Sequence, residues 1–415
     1  MKRFIIILLF IPMVLCARQY TLDELIQLGI EKSTSSQKSR LSTASAASNL
    51  ATSKWNLLPE ASVNLSAEQK IYNPLPVGSD ISSGVGVTLS KTISMNDPAW
   101  FQYKQARIDV QSTQYREEKT RSAYIYQIFN AYIEVLSAEK QQKSLRDNLT
   151  IQSRILEQSR ALKAQGRITD FDVKQNEIAV LNSEISLLKI QNQIDKSRNN
   201  LFSLVLIEDE GYPISELEFT AEYMVPELNY ETNLDIRLLN SELRKNDLTL
   251  NKERLDLWPK ISISYNFNRS VSGFDFDFDN YNSSHGFSLN ASYSLWNQFR
   301  QSESTKRAKI SRQMNQLDLI DKKDEIRLEY ENLKLELTYL LQLNELYNEK
   351  YNQATEQLRT AEERYRFGMI AQLDLDKTRS ELLDADIARN TNRYQIMVSR
   401  EALNLLLSNK ILGKW

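Results

Sequence analysis

Gly166-Arg167-Ile168-Thr169-Asp170-Phe171-Asp172-Val173 recurs 202 residues later as Gly368-Met369-Ile370-Ala371-Gln372-Leu373-Asp374-Leu375. Gly166 is the only glycine between Val87 and Glu210, and Gly368 is the only one between Phe287 and Leu412. The two octets keep a glycine, an isoleucine, an aspartate and the apolar positions in register, which marks an internal duplication. A second anchor agrees: Leu57-Leu58-Pro59-Glu60-Ala61-Ser62-Val63 pairs with Leu257-Trp258-Pro259-Lys260-Ile261-Ser262-Ile263 at an offset of 200. A small difference in loop length reconciles the two offsets.

Leading up to each glycine is a long polar segment with a narrow apolar stripe. Ile326, Tyr330, Leu333, Leu337, Leu340, Asn344, Tyr347, Tyr351, Ala354, Leu358, Ala361 and Tyr365 follow 4-3 spacing, a heptad seam of the kind that packs helix on helix. The same positions 202 residues earlier run from Tyr124 through Ile128, Ala131, Val135 and Leu145 to Lys163, and eight of the twelve keep the stripe. No proline falls in 99–212 or 260–415, as continuous helices require. The spacing predicts helices from Asp97 to about Lys163 and from about Phe299 to Phe367, each roughly 100 Å long at 1.5 Å per residue.

Beyond the glycines the pattern resumes as Ile178, Leu181, Ile185 and Leu188, and as Leu383, Ile387, Tyr394 and Met397. Gly166 and Gly368 are therefore the tips of two helical hairpins, each in the left-handed conformation that ends a helix. Thr169 is placed to cap the helix that follows, with Asp172 at its third position; Ala371 offers no such cap in the second copy.

Two shorter helices, about Leu22 to Trp55 and Leu234 to Leu257, lead into the proline anchors, where the period changes to two. Ala61, Val63, Leu65 and Ala67 alternate with polar residues, as do Ile261, Ile263, Tyr265 and Phe267. Alternation returns in Val85, Val87, Leu89 and Ile93, with Lys91 as the exception, and in Phe287, Leu289, Ala291, Tyr293 and Leu295. Four strands of about ten residues each suit a tilted membrane barrel. Four cannot close one, since about eight is the practical minimum. A membrane reading therefore requires an oligomer. The alternatives are a soluble sheet capping a coiled coil, or a periplasmic adaptor, which would normally carry one hairpin and more strands.

Composition narrows the function. The net charge of -2 lacks the basic excess that nucleic acid demands. His285, the only histidine, stands in an expected surface loop, and no phosphate-binding glycine loop or cysteine cluster is present. These features point to no enzyme, no cofactor and no metal. Met1-Lys2-Arg3 followed by the apolar run Phe4 to Leu15 reads as a secretory signal peptide over 1–17, cleaved near Cys16 or Ala17, with lipidation of Cys16 as the other outcome. The expected organisation is thus 1–17 signal, 18–216 first repeat and 217–415 second repeat.

Tyr20-Thr21-Leu22-Asp23-Glu24-Leu25, Leu57-Leu58-Pro59, Leu295-Trp296-Asn297 and Arg364-Tyr365-Arg366-Phe367-Gly368, in this order and spacing, resemble the outer membrane efflux protein family typified by TolC. That resemblance implies a mainly helical homotrimer in which twelve strands close a barrel in the outer membrane lipid and the long helices form a hollow α-barrel in the periplasm. It implies a belt from about Leu206 to Tyr230 together with Leu412-Gly413-Lys414-Trp415, and outer loops over Glu68 to Ser83 and Asn268 to His285. The second loop holds Phe274-Asp275-Phe276-Asp277-Phe278-Asp279, which reads as an acidic surface loop, with a strand extension as the other reading. The implied function is an exit duct for a tripartite efflux or type I secretion system, fed by an inner-membrane transporter through a periplasmic adaptor.

Adaptor contact then falls on the tips, at Gly166, Arg167, Gly368 and Met369. Asp374 matches an aspartate of the family's entrance ring, Asp172 is its counterpart in the first copy, and Tyr365 matches a latch tyrosine. Two positions depart from the family: Lys377 replaces a second ring aspartate, and Ile370 replaces the arginine of the latch.

Overall fold

The structure, a computed structural model, describes residues 19–415 other than 70, 72–80, 221–222, 257 and 274–281. The signal segment, Cys16, most of the first outer loop and the Phe-Asp repeat lie outside the described residues. In chain order the elements are α1 (Leu22–Lys32), α2 (Thr34–Trp55), β1 (Glu60–Gln69), β2 (Ile81–Ile93), α3 (Pro98–Ala164), α4 (Asp170–Val205), α5 (Leu234–Leu255), β3 (Lys260–Ser272), β4 (Asn282–Ser292), α6 (Asn297–Arg366) and α7 (Gln372–Leu406). The duplication is visible element by element: α3 and α6 have 67 and 70 residues, α4 and α7 have 36 and 35. Even the ends match. Leu206 and Ser408, 202 residues apart, both take a left-handed φ, and the next N–H reaches back five residues in each case, Ile207 to Phe202 at 3.2 Å and Asn409 to Asn404 at 2.8 Å.

The chain divides into two compact units. One holds the residues up to Gln37, Thr120–Asn229 and Arg327–Trp415; the other holds Lys38–Lys119 and Tyr230–Ile326. The core of the first is built where α1 meets α3 and α4: Leu25, Ile26, Ile128, Tyr132, Val135, Leu201 and Val205 are buried together. Gly29 lets α1 approach α3 closely: a Cβ there would stand 2.7 Å from Ile128 Cδ1 and 3.0 Å from the Tyr124 hydroxyl, and both side-chain ends would have to move. The Tyr132 hydroxyl donates to the Ser215 carbonyl at 2.6 Å, anchoring the irregular segment after α4. The C-terminus joins the same core: Leu412 and Trp415 pack on it, and Lys414 pairs with Asp23 at 3.0 Å. The Ile207–Leu217 part of the expected belt thus shares this core with the C-terminus, whereas Phe219, Tyr223, Val225 and Leu228 pack on separate clusters of α6 and α7 residues.

The heptad seam holds. All twelve positions from Ile326 to Tyr365 are buried or half-buried, and eleven of twelve in the first copy, Lys163 being the exposed one. Polar Gln152 and Ser159 are buried with the rest, so the register outlasts the loss of apolar residues.

Four sequence expectations are corrected. The first helix is broken at Ser33, whose hydroxyl accepts the Ser36 N–H at 3.3 Å and so caps a new helix. The strands reach further into the loops than alternation showed: β1 ends at Gln69, β2 begins at Ile81, β3 ends at Ser272, and β4 spans Asn282–Ser292, leaving Tyr293 and Leu295 beyond it. His285 is therefore a strand residue, opposite Phe267 and stacked on its ring at 6.5 Å, rather than a loop residue. In α4 the apolar residues Ile178, Leu181, Ile185 and Leu188 are 58%, 55%, 49% and 73% exposed. The buried seam is Val173, Asn176, Ser183, Ile190, Ile194, Ser197 and Leu201, heptad-spaced and partly polar.

Candidate functional site: a two-faced sheet and two hairpin tips

The second unit carries a single antiparallel sheet in the order β1-β2-β3-β4. Residues directly opposite share a face, so the register sorts every side chain. Val63, Val87, Phe267 and His285 form one such row, and Leu89, Tyr265 and Phe287 continue the face. It is largely apolar, with Arg269 and His285 toward the loop end and Lys91 toward the helix end as exceptions, and Val63, Leu65, Phe287 and Leu289 are 70%, 75%, 71% and 66% exposed. The opposite face reads Ser62, Asn64 and Ser66 on β1, Thr88 and Ser90 on β2, Ser264 and Asn266 on β3, and Ser288 and Asn290 on β4. Among the described residues its only charges are Glu60, Glu68 and Lys260, all near strand ends.

Lys91, the exception to the alternation, has a physical account. Its ammonium donates to the Leu57 carbonyl at 2.9 Å, just past the end of α2, where unpaired carbonyls favour a cation.

At the helix-bearing end of the sheet, one tryptophan stands at each of the four helix–strand junctions. Trp55, Trp100, Trp258 and Trp296 are 71%, 45%, 54% and 77% exposed. Lys104 lies 4.9 Å over the Trp100 ring. Such aromatics are the signature of a membrane–water interface. The sequence reading missed this belt; the spacing of tryptophans relative to the strand ends was the available signal. Among the described residues no helix is long and apolar enough to cross a membrane.

In the first unit, the tips are built alike. Gly166 and Gly368 have φ of +72° and +66°, and neither has any atom within 4 Å of the place a Cβ would occupy, so only the backbone demands glycine. Gly166 N–H reaches the Lys163 carbonyl at 2.8 Å and Arg167 N–H reaches Leu162 at 3.0 Å; Gly368 and Met369 repeat this on Tyr365 and Arg364, both at 2.9 Å. This is the Schellman turn in duplicate.

Behind each turn the helices are joined by two rungs at equivalent positions. In the first hairpin Lys163 pairs with Asp170, and Arg160 with Glu177 at 2.9 Å. In the second, Tyr365 donates to Gln372 at 2.5 Å and Arg379 pairs with Glu362 at 3.3 Å. The outer rung keeps its place with its charges exchanged: arginine faces glutamate in both, on opposite helices.

The caps differ as expected. Thr169 and Asp172 close a full capping box, with Asp172 accepting the Thr169 N–H at 2.8 Å and its own N–H donating to the Thr169 hydroxyl at 3.2 Å. The Thr169 hydroxyl, which donates to the Asp172 carboxylate at 2.7 Å, and the Thr169 N–H together hold the Asp172 carboxyl below its usual range. Asp374 accepts the Ala371 N–H at 3.4 Å and receives no hydroxyl partner. Asp374 is exposed and Asp172 half-exposed.

Asp376 points inward, 3.6 Å from Arg379. Burial pushes its carboxyl above the ordinary range against the pull of Arg379. Burial likewise raises the Tyr365 hydroxyl. The second tip thus holds Tyr365, Gln372, Asp376, Arg379 and Glu362 in one polar cluster, and Ile370 and Lys377 take no part in it.

No curated protein sequence matches the chain. Solved structures do. VceC, an outer membrane protein of Vibrio cholerae, superposes with a TM-score of 0.79 at 17% identity over 94% of this chain and 96% of that one. The MtrE outer membrane channel of Neisseria gonorrhoeae gives 0.78 at 16% over 94% and 89%, and the CmeC outer membrane channel of Campylobacter jejuni 0.77 at 14% over 95% and 87%. At these identities the likeness is one of fold. The sequence model of the outer membrane efflux protein family matches residues 25–205 and again 226–409. With two matched copies, four strands and two glycine-tipped hairpins, the chain belongs to the outer membrane efflux protein family.

Proposed function

We propose that the chain is the outer membrane exit duct of a tripartite efflux or type I secretion system, conducting passively what a periplasmic adaptor and an inner-membrane transporter deliver. The observation that carries this is the sheet: largely apolar on one face, Arg269, His285 and Lys91 apart, hydroxyl and amide on the other, with both edge strands, β1 and β4, unpaired among the described residues. An open sheet of this kind cannot stand in lipid, where every backbone group must be satisfied. Three copies would close twelve strands, with the apolar face and the tryptophan belt toward lipid and the polar face toward a lumen.

The helices support the same assembly. Ile178, Leu181, Ile185 and Leu188 in one unit, and Ile310, Met314, Leu317 and Ile320 in the other, are exposed apolar stripes that a neighbouring copy would cover. The organisation into repeats 18–216 and 217–415 after a cleaved 1–17 signal belongs to this reading. So does the role of the tips Gly166, Arg167, Gly368 and Met369 as the adaptor contact.

At the tips, Asp374 and Asp172 are the ring carboxylates of the entrance, and Tyr365 is the latch, here closed on Gln372. Three copies of an aspartate about an axis would favour cations, as charged rings do in channels.

Membrane fractionation and planar-bilayer recording test the proposal: an outer membrane trimer with steady conductance is expected, and recovery as a soluble monomer would sink it. In the same bilayers Asp374→Ala should weaken cation selectivity and block by multivalent cations. Unchanged selectivity and block would remove Asp374 from the constriction.

A further inference from the structure

At the foot of the sheet, within the second unit, lies a cleft of about 570 Å³. Its wall is one face of the first turns of α6, where Gln298, Ser302, Thr305 and Lys309 recur at intervals of four, three and four, with Gln301 beside them. Arg254 from the last turn of α5, Lys306 and Tyr293 complete the lining. Tyr293 is the next position of the apolar face after Leu289 and Ala291, so the cleft opens where that face ends. Beside it Trp296 and Phe299 stack at 6.4 Å, both mostly exposed.

Two features mark the cleft as a seat for an anion. Arg254, Lys306 and Lys309 are all exposed, and no acidic residue is among the described residues that line it. Lys306 pairs with Glu303 at 2.6 Å, whereas Arg254 and Lys309 make no ion pair among the described residues. The second feature is Gln301, only 5% exposed, whose amide nitrogen and oxygen both lack a hydrogen-bond partner. A buried amide left so is costly unless something from outside the chain fills it. A neighbouring cleft of about 500 Å³, between α3 and α5, holds the counterparts Lys104 and Arg107 together with Arg244. It also contains Asp247, and Ala99 stands where Gln301 would be. Positive charge beside the tryptophan belt is thus common to both copies, and the buried amide belongs to the second alone.

We propose that the cleft seats the headgroup of one phospholipid from the periplasmic leaflet of the outer membrane. The inference rests on the duct reading, which puts the apolar face in lipid, and adds to it a specific lipid site. The Arg254 guanidinium and the Lys306 and Lys309 ammonium groups take the phosphate oxygens as charge-assisted donors. The Gln301 amide donates to a phosphate or ester oxygen. The acyl chains then run over Tyr293 onto Leu289 and Phe287, the exposed apolar face above. Tyrosine and tryptophan at this level suit the boundary between headgroup and hydrocarbon.

The test is native mass spectrometry of the detergent-extracted protein, stripped of lipid and titrated with phosphatidylglycerol, with diacylglycerol of the same chains, and with inorganic phosphate. Phosphatidylglycerol should stay bound under activation that removes diacylglycerol, and excess inorganic phosphate should not displace it. Arg254→Gln with Lys309→Gln should weaken it ~30-fold, the scale of two interfacial cations. Gln301→Leu should weaken it ~5-fold, as loss of one hydrogen bond does. Equal retention of diacylglycerol, displacement by inorganic phosphate, or full retention by the double variant would each overturn the site. The same spectra report assembly; should the double variant fail to assemble, Lys309→Gln alone, at an exposed position, should still weaken binding ~5-fold, and no change would overturn the site. A conducting trimer that holds diacylglycerol as firmly as phosphatidylglycerol would sink this site and leave the duct standing. A chain that holds phosphatidylglycerol selectively but neither trimerises nor conducts would count against the duct instead.

Discussion

The two hairpin tips share their turn, their length and the positions of their rungs, yet they are held differently. The first is closed by local, solvent-facing interactions: the Thr169–Asp172 box and the Lys163–Asp170 and Arg160–Glu177 pairs, the last with side chains 59% and 42% exposed. In the second, the box has lost its hydroxyl, the inner rung is neutral, and the outer rung is turned inward so that Arg379 is only 13% exposed and lies beside Asp376. Duplication fixed where side chains face one another across the hairpin. What sits there has since diverged, and the second tip has become the one whose stability depends on a half-buried charge cluster.

The sharpest way to break this comparison is to remove one partner of the outer rung in each copy. Arg379→Ala leaves Asp376 without its cation and should cost about 2 kcal/mol, below the ~3–5 kcal/mol of a fully buried pair because Glu362 remains half exposed. Glu177→Ala, at the equivalent position, should cost at most about 0.5 kcal/mol, as exposed pairs do. Hydrogen exchange over the first turns of α7 and α4 reads both; equal loss of protection would show that the tips are alike after all.

A smaller effect tests what they share. Gly166→Val and Gly368→Val should each destabilise by about 1–2 kcal/mol, the strain of a left-handed L-residue, since no neighbour obstructs either side chain. Unequal losses in the same exchange experiment would mean that the turns are not equivalent.

The smallest change concerns the caps. Ala371→Thr should restore the missing hydroxyl and stabilise the second hairpin by about 1 kcal/mol. Thr169→Ala should do the reverse in the first, and carboxyl NMR should find the Asp172 pKa moved upward. The sign follows from the depressed pKa: the stability that Asp172 contributes is present above the ordinary carboxylate range and is lost as the pH falls through its folded value. Without Thr169 that acid-sensitive part disappears, so the first tip should lose less protection on acidification than it does with Thr169 present.

Much of this was legible along the chain. A lone glycine in a long proline-free segment marks a tip because only the left-handed turn there needs it, and the heptad seam held because a buried stripe repeats whatever its partner is. The α4 stripe misled for the opposite reason: apolar residues also repeat on a face that one chain leaves bare, and periodicity does not say which surface covers it. Ser33 broke a helix through one hydroxyl that composition does not distinguish from its serine-rich neighbours.

The amino-acid sequence by itself determined the duplication, the four strands, the hairpins and their tips, because period, glycine and proline act locally on the backbone. Only the tertiary structure decided the rest: that His285 lies in a strand, that four tryptophans gather at one end of the sheet, that Arg379 turns onto Asp376, and that Arg254, Lys306 and Lys309 border one cleft. Those facts depend on which residues a strand register or a helical hairpin brings face to face, often across hundreds of positions, and such distances leave no period in the chain.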